Sequence, residues 1–177
     1  MKRLILVLFL MLMIPSLAFG AYTTDKCTGG TASAISVFSG YLASHAFDNI
    51  ETKLTGWVGA NGSIPGWVKY DFGSGVAWPI TRVRVLGWKN SYISTSYATS
   101  VKIEGSNNDS NWTTLVASSS TPTYNTWYTI DFSNTTDYRY IKVTALSTDF
   151  PTYPGFTEIE MMYEPADNTV IIFFNGF

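Results

Sequence analysis

Asp48, Asn49 and Thr55 put side-chain oxygens close together in one stretch, AFDNIETKLTGWVGANGSIPGWVKYDFG (residues 46–73), which ends in an aromatic run. Oxygens on a loop can hold a hard cation, because such an ion takes six to eight oxygen ligands, many of them backbone carbonyls. The same residues also suit a plain Gly/Asn/Pro turn between two strands. Either way, the rings of Trp57, Trp67, Tyr70 and Phe72 can anchor both ends of the loop in a core.

Catalytic chemistry finds little footing. A nucleophile needs a base within hydrogen-bond reach, and His45 is the only histidine. His-rich zinc motifs and Gly-rich phosphate loops do not occur in the sequence. Glu158 and Glu160 lie two apart on an expected strand and share a face, whereas glycosidase carboxylates usually come from separate elements flanking a cleft. The expectation is that the chain is not an enzyme.

The chain of 177 residues opens like an export signal. Lys2 and Arg3 precede an apolar run from Leu4 to Ile14, and Ala18-Phe19-Gly20 offers small residues for cleavage after Gly20. The run is shorter than the roughly 20 residues of a membrane span. Without Lys2 and Arg3 the balance is 9 basic against 13 acidic residues, a net charge of −4. That disfavours nucleic acid, whose phosphates require clustered Lys and Arg. One cysteine, Cys27, leaves no internal disulfide, so stability must come from the core or from a metal. The four sequons, at Asn61, Asn108, Asn111 and Asn134, matter only if a eukaryote makes the protein.

Positioning falls to short strands. Val68, Tyr70 and Phe72 alternate with Lys69 and Asp71. Val83 and Val85 alternate with Arg82 and Arg84, and Val101 and Ile103 with Lys102 and Glu104. Tyr128, Ile130 and Phe132 alternate with Thr129 and Asp131, and Ile141 and Val143 with Tyr140 and Lys142. Turn clusters separate them, notably Gly73-Ser74-Gly75 and GSNNDSN (105–111). Further expected strands are Thr31–Phe38, a short one at Trp112 and Leu115, and Phe156–Tyr163. Residues 21–30 read as a loose lead-in and Trp88–Ala98 as a long loop. The pattern indicates an all-β antiparallel sandwich or barrel in one domain over 31–163. The tail 164–177, containing NTVIIFFNGF, is apolar enough to form a last strand or to pair with a neighbouring subunit's sheet edge.

The order of motifs resembles the discoidin domain family, also called coagulation-factor type C domains, which overlaps the family 32 carbohydrate-binding modules. The matching pieces are AFDN (46–49), TGW (55–57), WVKYDFG (67–73), TRVRV (81–85), VKIEGSNNDSNWTTL (101–115), YRYIKV (138–143) and GFTEIE (155–160).

The resemblance implies an eight-stranded jelly-roll β-sandwich of the galactose-binding type, and a structural calcium held by Asp48, Thr55 and Glu158 with nearby backbone oxygens. Two extra residues between Asp48 and Thr55 relative to the usual spacing leave Thr52 as an alternative to Thr55. Galactose-binding members place a His after the loop Trp, and here Val58 and Gly59 follow Trp57. Lys89 stands where Arg is usual, and the aromatic position is Tyr153 or Phe156. The implied ligand-binding set is therefore Trp88, Lys89, Asn90, Tyr92, Tyr97 and Tyr153. Rings beside amide and ammonium donors suit sugars. The expected function is a secreted, lectin-like binding module for an extracellular glycan or surface polysaccharide. The alternatives are an adhesive subunit that self-assembles through the C-terminal tail and, with Tyr92-Ile93 as its apolar spike, a phospholipid- or protein-binding domain.

Overall fold

The computed structural model describes residues 21–51, 56–87, 98–121, 125–148 and 153–165. The strands are β1 (Thr31–Ala34), β2 (Trp57–Val58), β3 (Gly66–Asp71), β4 (Arg82–Leu86), β5 (Ala98–Ser106), β6 (Thr113–Ser120), β7 (Trp127–Asp131), β8 (Tyr140–Thr148), β9 (Gly155–Phe156) and β10 (Glu158–Met162). The one helical element among the described residues is a 3-10 turn at Ala43–Ala46. All pairings are antiparallel, in a five-stranded sheet ordered β1-β3-β8-β5-β6, a three-stranded sheet β10-β4-β7 and a small β2-β9 pair. The all-β jelly-roll sandwich expected from the sequence is what forms.

Period-two alternation explains the layering, because successive side chains of a strand point to opposite faces. Val68, Tyr70, Ile103, Ile141 and Val143 from the large sheet form one buried cluster with Val83, Val85, Ile130, Ile159 and Met161 from the small one. Glu104 departs from a simple outward reading, being buried on its strand. It survives there because the Lys102 and Lys142 ammoniums lie 2.7 and 2.9 Å from its two oxygens. Burial alone raises its carboxyl, and the two lysines more than offset that, holding it below the usual range.

Gly105 marks a point of close approach. A Cβ built there would lie 2.5 Å from the ring of Tyr138, which is itself buried. Gly105→Ala is expected to force that ring aside and cost about 1–3 kcal/mol, read as a lower denaturant midpoint with an unchanged slope.

Several expected boundaries shift. β1 stops at Ala34 rather than Phe38, and β6 runs on to Ser120. Ala98 is a buried strand residue rather than the end of a loop. The run Phe156–Tyr163 breaks at Thr157, where the chain changes partner from β2 to β4; Thr157 N–H donates to Leu86 O at 2.9 Å and its hydroxyl to Gly87 O at 3.2 Å. Residues 21–30 are docked rather than loose. Thr23 N–H donates to Tyr163 O and Lys26 N–H to Met161 O, at 3.0 and 2.8 Å. In return Asp25 Oδ1 accepts from Met161 N–H at 2.7 Å and Thr23 Oγ1 from Tyr163 N–H at 3.2 Å. Lys26 Nζ then sits 4.8 Å above the Trp78 ring, which stacks on Tyr163. Residues 1–20, expected to be an export signal, and the apolar tail from residue 166 lie outside the described residues.

Candidate functional site

The first candidate site lies where the early loop meets β10. Asp48 Oδ1 accepts from Ile50 N–H at 2.9 Å, across Asn49 with φ of 58°. This local turn, which asparagine tolerates, fixes the carboxylate of Asp48. Glu158 enters as the first residue of β10, paired with Leu86 of β4, and is 1% exposed. Its Oε1 accepts from Ile159 N–H at 3.3 Å, while Oε2 is buried with no hydrogen-bond partner. Burial pushes its carboxyl up to about 8; the charges of Asp48 and Asp25 add to this, and the Ile159 and Ile50 amides pull the other way. The charge of Asp48 is thus felt at Glu158, although the two residues stand at opposite ends of the domain's sequence.

An orphaned buried carboxylate oxygen beside further carboxylates is a site that a cation would neutralise, and oxygen donors suit a hard ion. Among the described residues no group of three His, Cys, Asp or Glu is placed to hold a metal alone. Backbone carbonyls would have to complete the set, together with Thr55, which lies outside the described residues. Glu160 is already engaged, its Oε2 2.5 Å from Arg84 Nη1. The two glutamates of β10 therefore have different surroundings, Glu158 buried with an unbonded oxygen and Glu160 paired with Arg84.

The second candidate site is the sandwich end built by β2 and β9. Trp57 pairs with Phe156 and Val58 with Gly155, and Gly59 N–H donates to Pro154 O at 2.8 Å. These bonds present Tyr153, half-buried, edge-on to Phe38 with ring centroids 5.0 Å apart. Phe38 stacks in turn on Tyr41 at 6.2 Å. Beside them Ser36 Oγ bonds Ser63 Oγ at 3.0 Å and accepts from Ala60 N–H at 2.9 Å. Phe156, the alternative aromatic, is 1% exposed and stacks on Trp57, so it belongs to the core and offers no face to a ligand. Trp88, Lys89, Asn90, Tyr92 and Tyr97 lie outside the described residues.

The F5/8 type C domain profile matches residues 31–159. The chain belongs to that family. No curated protein matches it. Among solved structures this F5/8 type C domain is similar to chitosan-binding module 1 of a chitosanase/glucanase from Paenibacillus sp. IK-5, at 26% identity over 80% of this chain and 99% of that one, with a TM-score of 0.63. It is similar also to the family 32 carbohydrate-binding module of C. perfringens NanJ, solved with galactose (21% identity, 81% and 100% covered, TM-score 0.65). A third is chitosan-binding module 2 of the Paenibacillus enzyme, solved with chitotriose (23%, 77% and 98%, 0.62).

Within the F5/8 type C domain, sequence reasoning missed Phe38 and Tyr41. Their signal was two aromatics three apart in SVFSGY (36–41), whose first half fell in the expected strand Thr31–Phe38 because of its small and β-branched residues. The chain leaves the sheet at Ile35, and both rings swing toward Tyr153.

Proposed function

We propose that this F5/8 type C domain is an exported, non-catalytic glycan-binding module whose loop end grips sugar and whose early loop is braced by a structural calcium. The observation that carries the reading is the half-buried ring of Tyr153, held edge-on by Phe38, whose segment also carries Ser36, bonded to Ser63. A ring held in place offers an apolar face to a pyranose at little entropic cost, while hydroxyls fix its polar edge. Trp88, Lys89, Asn90, Tyr92 and Tyr97 are proposed to complete the grip from the adjoining connection. The solved relatives carry galactose and chitotriose in their own sites, which supports a glycan as the class of partner.

Asp48 and Glu158, with Thr55, are the proposed calcium ligands. Bound there, the ion supplies the positive charge that the orphaned Glu158 oxygen lacks, and it ties the early loop to β10.

Calorimetry against galactose, chitotriose and plant and bacterial polysaccharide fragments tests the function. Tyr153→Ala is expected to weaken the best sugar by about tenfold, the loss of one stacking ring, with the melting temperature little changed. A folded wild-type chain that bound none of the panel would overturn the reading.

A further inference from the structure

We propose that the outer face of the five-stranded sheet is a second glycan site, specific for acidic sugars, in which Lys69 and Lys142 hold a carboxylate between the rings of Trp67, Trp112 and Tyr140. The proposal does not rest on the loop-end site; the two occupy different parts of the sandwich and different residues.

The first observation is register. Lys69 of β3 lies directly opposite Lys142 of β8. Like charges facing each other across a ladder destabilise it, and here each lysine is offset by a carboxylate of its own, Asp109 for Lys69 and Glu104 for Lys142. The second is the setting of the two ammoniums. Lys69 Nζ is 5.5 Å from the centroid of Trp67, 5.9 Å from Tyr140 and 6.0 Å from Trp112. Lys142 Nζ is 4.0 Å from the centroid of Trp112. The three rings are neither core nor fully exposed. They stand on a sheet face as half-covered plates around two cations, an arrangement that suits a pyranose bearing a negative group.

The third observation is what already neutralises Lys69. Asp109 projects from the turn after β5 with φ of 58°, and its carboxylate engages Lys69 while remaining 38% exposed. Asn108 Oδ1 shapes this turn by accepting from Ser110 N–H at 3.1 Å and Asn111 N–H at 2.8 Å. Asp109 is thus a carboxylate on a surface arm lying where a uronate would place its own. It shows that the position accepts the group, and an incoming sugar acid displaces it into water. Glu104, by contrast, is buried and shared between Lys102 and Lys142, so it stays.

Charge selects the class of ligand. Lys69, Lys102, Lys142 and Arg139 gather here within a chain of net charge −2. Asp71, Glu104 and Asp109 leave these four cations one positive charge in excess, and displacement of Asp109 raises the excess to two. A polyphosphate would need a much more basic surface, whereas one carboxylate per sugar matches a paired lysine.

The test is calorimetry on the exported chain with tetragalacturonate and, as the uncharged control, its methyl ester. The wild-type chain is expected to bind the acid about tenfold tighter than the ester, the scale of one charge-assisted contact. Lys142→Gln should remove that preference. Asp109→Asn, an exposed change that leaves the fold intact, should strengthen acid binding by about threefold, because an internal competitor is gone. Tyr153→Ala should leave tetragalacturonate binding unaltered. Equal affinity for acid and ester, no binding of either, or an Asp109→Asn affinity at or below the wild-type value would each overturn the proposal. So would loss of acid binding in Tyr153→Ala with none in Lys142→Gln, a result that assigns the acid to the loop end and leaves the loop-end reading standing.

Discussion

Trp57→Ala is expected to destabilise the domain by about 3–5 kcal/mol, the usual cost of truncating a large buried aromatic. Trp57 is fully buried and stacks on Phe156 with centroids 5.9 Å apart. Its indole N–H donates to Ser36 O at 2.9 Å, pinning the segment that carries Phe38 and Tyr41. Truncation leaves a cavity and an unpaired carbonyl together, and the neighbouring β2-β9 pair, only two residues long on each side, has little means to collapse around them. The melting temperature should fall by about 10 °C or more for a domain of this size. Trp57→Phe keeps most of the volume and loses the hydrogen bond, so it should cost about 1–2 kcal/mol. A loss below about 1 kcal/mol for the alanine variant would show that Trp57 does not anchor the β2-β9 end of the sandwich.

The second large effect is a pH dependence that calcium should abolish. In chelator, the folded domain is expected to lose stability as pH rises from about 5 to 9. The Glu158 carboxyl is pushed up to about 8 in the fold, first by burial and then by Asp48 and Asp25. In the unfolded chain it titrates near about 4.3. Between these values the folded state keeps a proton that the unfolded chain releases, so the unfolded state binds fewer protons and stability falls with rising pH. The contribution is fully present below the unfolded value and is lost as pH passes through the folded one. Its size is on the order of a few kcal/mol, since each unit of displacement is worth about 1.4 kcal/mol. Calcium binds the carboxylate form, so melting curves in excess calcium should stay level over the same range and lie above the chelator curves at pH 8. Glu158→Gln should flatten the chelator curve and remove the response to calcium. A steep chelator curve that persisted in Glu158→Gln would refute the assignment.

Much of the architecture was legible because its signal is local. The alternation of Val83 and Val85 with Arg82 and Arg84 fixes which face of β4 is buried, whatever lies beside it, and the same holds for β3 and β8. Features that depend on a partner were not legible. The break at Thr157 exists because β9 pairs with β2 and β10 with β4, and nothing in GFTEIE signals that exchange. Residues 21–30 look like a polar leader because their bonding partners lie some 140 positions away, as for Tyr163 and Thr23. At the candidate sites, Asp48 and Glu158 were nameable because both stand in recognisable motifs. The resemblance singled out Glu158 over Glu160, but the orphaned oxygen of Glu158 was not readable, since it depends on burial and on Arg84 engaging only Glu160. Phe38 and Tyr41 escaped notice because their direction depends on where β1 ends.

The hydrogen bonds between the leader and β10 bear on how the protein behaves when crowded. The outward amides and carbonyls of Met161 and Tyr163 are all taken by Thr23, Asp25 and Lys26. An open row of such groups would offer a template on which a foreign strand could add. With these groups capped from within the same chain, that stretch of the border is closed to a foreign strand.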